Sequence, residues 1–297
     1  MRPSPTLLRR RELMAGALAL SAGLAARPAL AREVSAELRA IEARVGGRLG
    51  LCAGRPGREP IVAWRSDERF LMCSTFKALA VSAVLARVDA GRERLDRWIA
   101  YGRGDLLEYA PTATANLAKG GMSLGELCAA AVELSDNTAA NLILASLGGP
   151  PAVTGYIRSL GDGVTRLDRT EPTLNDPGPL GDLHDTTTPA SMAGLWRTIL
   201  LGHALSPASR RRLMDWLEAC QTGPARLKSI TPAGWRIGHK TGAGSTTIGD
   251  VAILTRPGRP PILIAAYLDA PGQLDHPHDD AIARAGRLAL GLVAPNA

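Results

Sequence analysis

Residues 74–91 read Ser-Thr-Phe-Lys-Ala-Leu-Ala-Val-Ser-Ala-Val-Leu-Ala-Arg-Val-Asp-Ala-Gly. Alanine, leucine and valine run almost unbroken to Gly91, and a helix that is apolar on all sides is a buried one. Ser74 falls in its first turn, and Lys77, three residues on, shares its face. A hydroxyl and an amine therefore stand together at a helix N-terminus, where the backbone dipole favours negative charge. Lysine is scarce in this chain: only Lys77, Lys119, Lys228 and Lys240 occur among 35 basic residues. Arginine stays charged at any useful pH, whereas a buried lysine can release its proton and act as a base. The pair is a candidate for chemistry, although a Ser-x-x-Lys tetrad alone is a weak signal and depends on partners elsewhere.

Working outward, apolar runs at Leu49 to Ala53 and Ile61 to Trp64 flank Gly54-Arg55-Pro56-Gly57, the pattern of a strand hairpin. Beyond Gly91 the chain reads as helical, broken at Gly120-Gly121 and Gly148-Gly149-Pro150-Pro151. Residues 166–189 form a long polar stretch rich in proline, aspartate and glycine, a surface loop of functional length. Helices are expected at about 189–201 and 207–219, then strands at Trp235 to Lys240, Ile248 to Leu254 and Ile262 to Leu268. An alanine-rich helix after Asp280 closes the chain. The fold expected is α/β, a sandwich of helices on a five-stranded antiparallel sheet drawn from both chain ends, with an all-helical lobe inserted. The α/β lobe spans about 32–72 and 220–297, the helical lobe about 73–219, with the candidate Ser74–Lys77 site expected between them.

The formal charge of +7 is misleading as a hint of an anionic partner. Residues 1–31 carry five arginines and one acid, so +4 belongs there and +3 to the remainder. With aromatics at 4%, nucleic-acid binding has little support. Arg9 to Arg11, the apolar run from Leu13 to Ala26 and the small-residue site Ala29-Leu30-Ala31 read as an export signal, too short to span a bilayer. The export route is twin-arginine or general secretion. The mature protein, from near Arg32, is expected to be periplasmic or secreted, free of the membrane and monomeric. Cys52, Cys73, Cys128 and Cys220 form no Cys-x-x-Cys pair and are expected to be unpaired, buried thiols.

Three further motifs follow the tetrad: Ser135-Asp136-Asn137, Glu171-Pro172-Thr173-Leu174-Asn175 and Lys240-Thr241-Gly242, each at an element edge or in a loop. Together the four closely resemble those of the class A serine beta-lactamases. The resemblance covers nearly the whole mature chain, including Asp105 to Pro111, Arg166 to Arg169 and Asp185 to Pro189. It implies hydrolysis of penicillins and cephalosporins, hence antibiotic resistance, without a cofactor or metal. By resemblance Ser74 is the nucleophile and Lys77 a base beside it, while Ser135 relays a proton to the leaving nitrogen. Glu171 and Asn175 position the deacylating water. Asn137, Lys240, Thr241, Gly242 and Ala243 bind substrate, the backbone N–H groups of Ser74 and Ala243 hold the oxyanion, Arg226 assists with the carboxylate, and Tyr109 lines the entrance. Which of Lys77 and Glu171 starts acylation stays open.

The chain departs from relatives in places. Gly244 and Val81 stand where some members carry cysteines that pair with the counterparts of Cys73 and Cys128, and Ala243 lacks a hydroxyl that carbapenemases often show. The penicillin and cephalosporin reading therefore leads. Arg169 is expected to close its loop on Asp185, with Asp182 the rival. His239 reads as an ordinary strand histidine, and Asp275 to Asp280 as a solvated loop capping the last helix. The competing functions are a D-Ala-D-Ala peptidase or transpeptidase, which generally lacks the Glu-x-x-x-Asn loop, and a beta-lactam sensor, which usually has a membrane anchor.

Overall fold

The strand-forming runs of the two chain ends meet in one sheet in a computed structural model, which describes residues 32–179, 181–272 and 274–295. In chain order the strands are β1 (Arg48–Gly54), β2 (Val62–Trp64), β3 (Phe70–Leu71), β4 (Trp98–Ala100), β5 (Gly121–Ser123), β6 (Thr186–Thr187), β7 (Arg236–Ala243), β8 (Thr247–Arg256) and β9 (Arg259–Asp269). Five of them form an antiparallel sheet in the order β2-β1-β9-β8-β7, while β3 pairs with β6 and β4 with β5. The fold is thus the expected α/β arrangement. β8 is buried from Thr247 to Leu254, so both its faces are covered, and its sequence reads as an apolar run rather than an alternation.

The helices are α1 (residues 32–45), α2 (Phe76–Asp89), α3 (Pro111–Ala115), α4 (Leu124–Glu133), α5 (Asn137–Leu147), α6 (Pro150–Ser159), α7 (Pro189–Leu201), α8 (Pro207–Glu218) and α9 (His276–Val293). Two compact units divide the chain, Met1–Ala40 and Ile41–Ala297. Of the first, residues 32–40 are described, as the start of α1; the export-signal reading of residues 1–31 lies outside the described residues. In the second, α2 is buried from Phe76 to Leu85 and packs among α4, α5, α6 and α8, as its all-apolar sequence requires. α7 and α9 pack against β1 and β9, and α8 against β7. No helix among the described residues is long and apolar enough to cross a membrane.

Sequence and structure differ at the start of α9. The helix begins at His276 rather than after Asp280, because Asp275 takes the N-cap and Pro277 sits in the first turn, both favoured starts. His278 Nδ1 lies 2.7 Å from Asp275 Oδ1, so this polar stretch is used in the cap itself.

Asp136 shows how one residue fixes the loop that precedes α5. Its buried carboxylate accepts from the backbone N–H of Ala139 (2.8 Å) and of Thr112 and Ala113 (2.9 Å each). Asp136→Ala should lower unfolding stability by about 3 kcal/mol, because three backbone donors, two of them buried, lose their acceptor. Urea unfolding checks this; a loss under about 1 kcal/mol would contradict the capping account.

Candidate active site

Ser74 lies in a 3-10 turn, Cys73–Thr75, that feeds directly into α2, which brings Lys77 into the same buried space. Cys73 (φ 43°) and Ser135 (φ 59°) both occupy the left-handed region. Non-glycine residues there cost about 1–3 kcal/mol each, and such strain gathers at functional sites. The strand edge fits closely against the turn. A Cβ on Gly242 would meet Met72 O at 2.7 Å and Ser74 N at 3.2 Å, so only glycine allows β7 to pass the Ser74 turn here.

The polar groups converge. Ser74 Oγ donates to Glu171 Oε1 at 3.2 Å, and Lys77 Nζ lies 3.0 Å from the same oxygen. Lys77 Nζ also donates to Ser135 O (2.8 Å), Ser135 Oγ (3.3 Å) and Asn137 Oδ1 (2.5 Å). From the other side Lys240 Nζ donates to Ser135 Oγ at 3.0 Å and to Thr241 O at 2.8 Å. Asn175 Nδ2 donates to Glu171 Oε2 at 2.5 Å, leaving Asn175 Oδ1 buried without a partner among the described residues. Such an acceptor suits a bound water. Both lysines and Glu171 are buried.

The long loop is closed by Arg169, whose Nε meets Asp185 Oδ2 at 2.5 Å, while Asp185 Oδ1 accepts from Asp168 N and Arg169 N. The rival, Asp182, pairs instead with His184 at 2.6 Å. Arg226 lies against β7 and β8: Nη1 donates to Gly242 O (2.8 Å) and Gly249 O (3.1 Å), and Nε meets Asp279 at 2.6 Å. Thr241 Oγ1 lies 2.5 Å from Thr222 Oγ1. Tyr109 is half exposed, tied to the Ser-Asp-Asn loop through its carbonyl, which accepts from Asn137 N at 3.0 Å.

Comparison with known proteins bears on the family and the fold. Residues 33–293 match the beta-lactamase enzyme family. An ancestral class A beta-lactamase is 54% identical, with a TM-score of 0.81 over 86% of this chain and 98% of its own. The chain belongs to the class A beta-lactamases. A mutant of the enzyme of the last common ancestor of Gram-negative bacteria is 52% identical (TM-score 0.83, covering 89% of this chain and 100% of that one). A putative class A beta-lactamase from Rhodopseudomonas palustris is 45% identical (TM-score 0.83, 87% and 99%).

Burial drives the electrostatics of this beta-lactamase. Desolvation pushes the Lys77 pKa below its ordinary value against the opposing pull of Glu171, which readies the amine to give up its proton. Lys240 is pushed down to about 8, again by burial, with the Cys220 sulfur the largest opposing influence. Reading the sequence missed Asn141, which brackets Glu171: its Oδ1 accepts from Glu171 N (3.0 Å) and its Nδ2 donates to Glu171 O (2.9 Å). Asn141 stands one helical turn after Asn137, and that spacing was the available signal. His239, read as ordinary, is buried against Asp250 at 3.1 Å and pushed up to about 10, with burial opposed and outweighed by that carboxylate. All four cysteines are free and buried, as expected.

Proposed function

We propose that this beta-lactamase opens the lactam amide of penicillins and cephalosporins through a Ser74 acyl-enzyme, which water activated by Glu171 then releases. The observation that carries the reading is Glu171 Oε1, within 3.2 Å of Ser74 Oγ and 3.0 Å of Lys77 Nζ at once. A serine hydroxyl is a weak nucleophile until a base takes its proton. In acylation that proton goes to Lys77, whose amine burial leaves ready to be neutral, while Glu171 is kept for the water of the second step. The tetrahedral oxyanion is held by the backbone N–H groups of Ser74 and Ala243, and one such donor is worth about 10²–10³ in rate. Ser135, polarised by Lys77 and Lys240, delivers a proton to the departing ring nitrogen, and the lactam C–N bond breaks.

In the second half Glu171 takes a proton from a water that Asn175 helps to hold. The hydroxide attacks the ester carbonyl, and Ser74 leaves with its proton restored from the Lys77–Glu171 pair. Lys240, Thr241 and Arg226 receive the substrate carboxylate, Asn137 its side-chain amide, and Tyr109 stacks at the rim, with Gly242 and Ala243 along its edge. Ala243 lacks a hydroxyl, which favours penicillins and cephalosporins over carbapenems. Residues 32–297 act as a monomeric catalytic domain, exported by the 1–31 signal to the periplasm, where hydrolysis confers resistance.

The purified protein should turn over a chromogenic cephalosporin many times, and Ser74→Ala should abolish this. One equivalent of acylation without turnover would sink the reading. Because Lys240 is cationic only below about pH 8, carboxylate capture weakens as pH rises through that value. The basic limb of kcat/KM should therefore fall near pH 8, and a pH–rate profile flat to pH 10 would contradict the assignment of Lys240.

A further inference from the structure

Arg226 reaches β7 and β8 from a short turn, and a buried pair that the proposed reaction does not use holds that turn. His239 stands on β7 and Asp250 on β8, both fully buried. His239 Nδ1 lies 3.1 Å from Asp250 Oδ1 and 3.3 Å from Oδ2. Asp250 Oδ2 also accepts from Leu227 N at 3.0 Å. Leu227 directly follows Arg226 and opens the 3-10 turn Leu227–Ile230, which has no side-chain cap of its own. The first N–H groups of such a turn need an acceptor, and here a carboxylate from the sheet supplies it. The Leu227 side chain is buried against α9, where a Cβ on Gly286 would collide with it.

Two consecutive residues of β8 therefore hold Arg226 from both ends. Gly249 O accepts from Nη1 of its side chain at 3.1 Å, and Asp250 holds the backbone N–H that follows it. Gly242 and Gly249 face each other across β7 and β8, and Nη1 donates to both carbonyls, while Nε meets Asp279. These bonds leave Nη2 to face a ligand. Arg226 borders a cavity of about 480 Å³ that Ala243 and Ser245 also line. A planar fork recognises a carboxylate only when its own position is fixed, to within about 0.5 Å for a working site. The pair makes no hydrogen bond to Lys240 among the described residues; that ammonium donates to Ser135 Oγ and Thr241 O.

We infer that Asp250, oriented by His239, is a positioning residue for Arg226: it ties the Leu227 amide to β8 and so holds the guanidinium where a substrate carboxylate meets Nη2. The inference rests on the proposed role of Arg226 in carboxylate capture. It gives the buried pair a part in substrate binding, exerted through the backbone of the turn.

A double-mutant cycle on the full protein tests this, with a chromogenic cephalosporin that carries its carboxylate as substrate. Arg226→Ala and Asp250→Ala should each raise KM about tenfold with kcat little changed, the mark of lost binding common to ground and transition states. Added to Arg226→Ala, Asp250→Ala should raise KM by less than about twofold, because the group it positions is already gone. Asp250→Asn keeps an acceptor for Leu227 N and should stay within about twofold of the parent, a rescue that a packing role would not show. His239→Leu/Asp250→Val repeats the test should Asp250→Ala fail to fold, because apolar replacement of a whole buried pair often preserves stability; its KM should also rise about tenfold. An unchanged KM in either folded variant, a rise that persists in the Arg226→Ala protein, or an Asp250→Asn protein as weak as Asp250→Ala would overturn the inference. A parental KM in Arg226→Ala would overturn it as well, while parent turnover in the same assay reports separately on hydrolysis.

Discussion

Replacing Lys77 by methionine should lower kcat/KM for a penicillin by about 10³-fold or more, while leaving the hydrophobic contacts of α2 nearly unchanged. Methionine fills a similar volume but removes the amine that Glu171, Ser135 and Asn137 share. Two losses combine. The Ser74 proton has no amine to move toward, and the Glu171 carboxylate becomes a buried charge without its partner. Breaking a buried pair on one side costs about 3–5 kcal/mol, so the variant should also unfold earlier. Pre-steady-state acylation rates separate the two effects, because an enzyme that is merely less stable acylates normally at low temperature. Normal acylation in a folded Lys77→Met protein would remove Lys77 from the reaction.

Glu171→Gln should have the complementary effect. The glutamine keeps the shape of the carboxylate and its place beside Asn175, so acylation persists. It cannot accept a proton from water, and general-base help of that kind is worth about 10²–10⁴. Steady-state hydrolysis should fall by that factor after a burst of one product per enzyme, measured by stopped-flow absorbance. A variant that loses its burst together with its turnover would show that acylation, too, depends on Glu171.

Much of this was legible in the chain because local rules and global fold agree. The apolar run of α2 has no exposed face to hide, and the structure buries it from Phe76 to Leu85. The hairpin around Gly54 to Gly57 and the three late strands stand near their expected positions because each is bounded by glycine or proline. The four motifs supplied the residues that meet around Ser74. What escaped was pairing across elements. His239 and Asp250 meet because β7 and β8 are in register with Thr241 opposite Asp250, which places the carboxylate diagonally from the imidazole. That register is invisible in two separate apolar runs. Gly242 was recognised as part of a motif, but its physical cause, a 2.7 Å approach to Met72 O, belongs to the packed state. The early start of α9 shows the opposite error, in which a polar stretch was read as loop although its aspartate and proline are helix-start residues.

The proposed reaction is covalent and runs in two steps on Ser74, with Lys77 serving opening and Glu171 release. It is tested most directly by mass spectrometry of Glu171→Gln after brief exposure to a penicillin, followed by proteolysis. The intact variant should gain the mass of one whole penicillin, carried by the peptide that contains Ser74, and the parent treated alike should return to its unmodified mass. An adduct on any other residue, or none in a folded variant that has lost turnover, would contradict it.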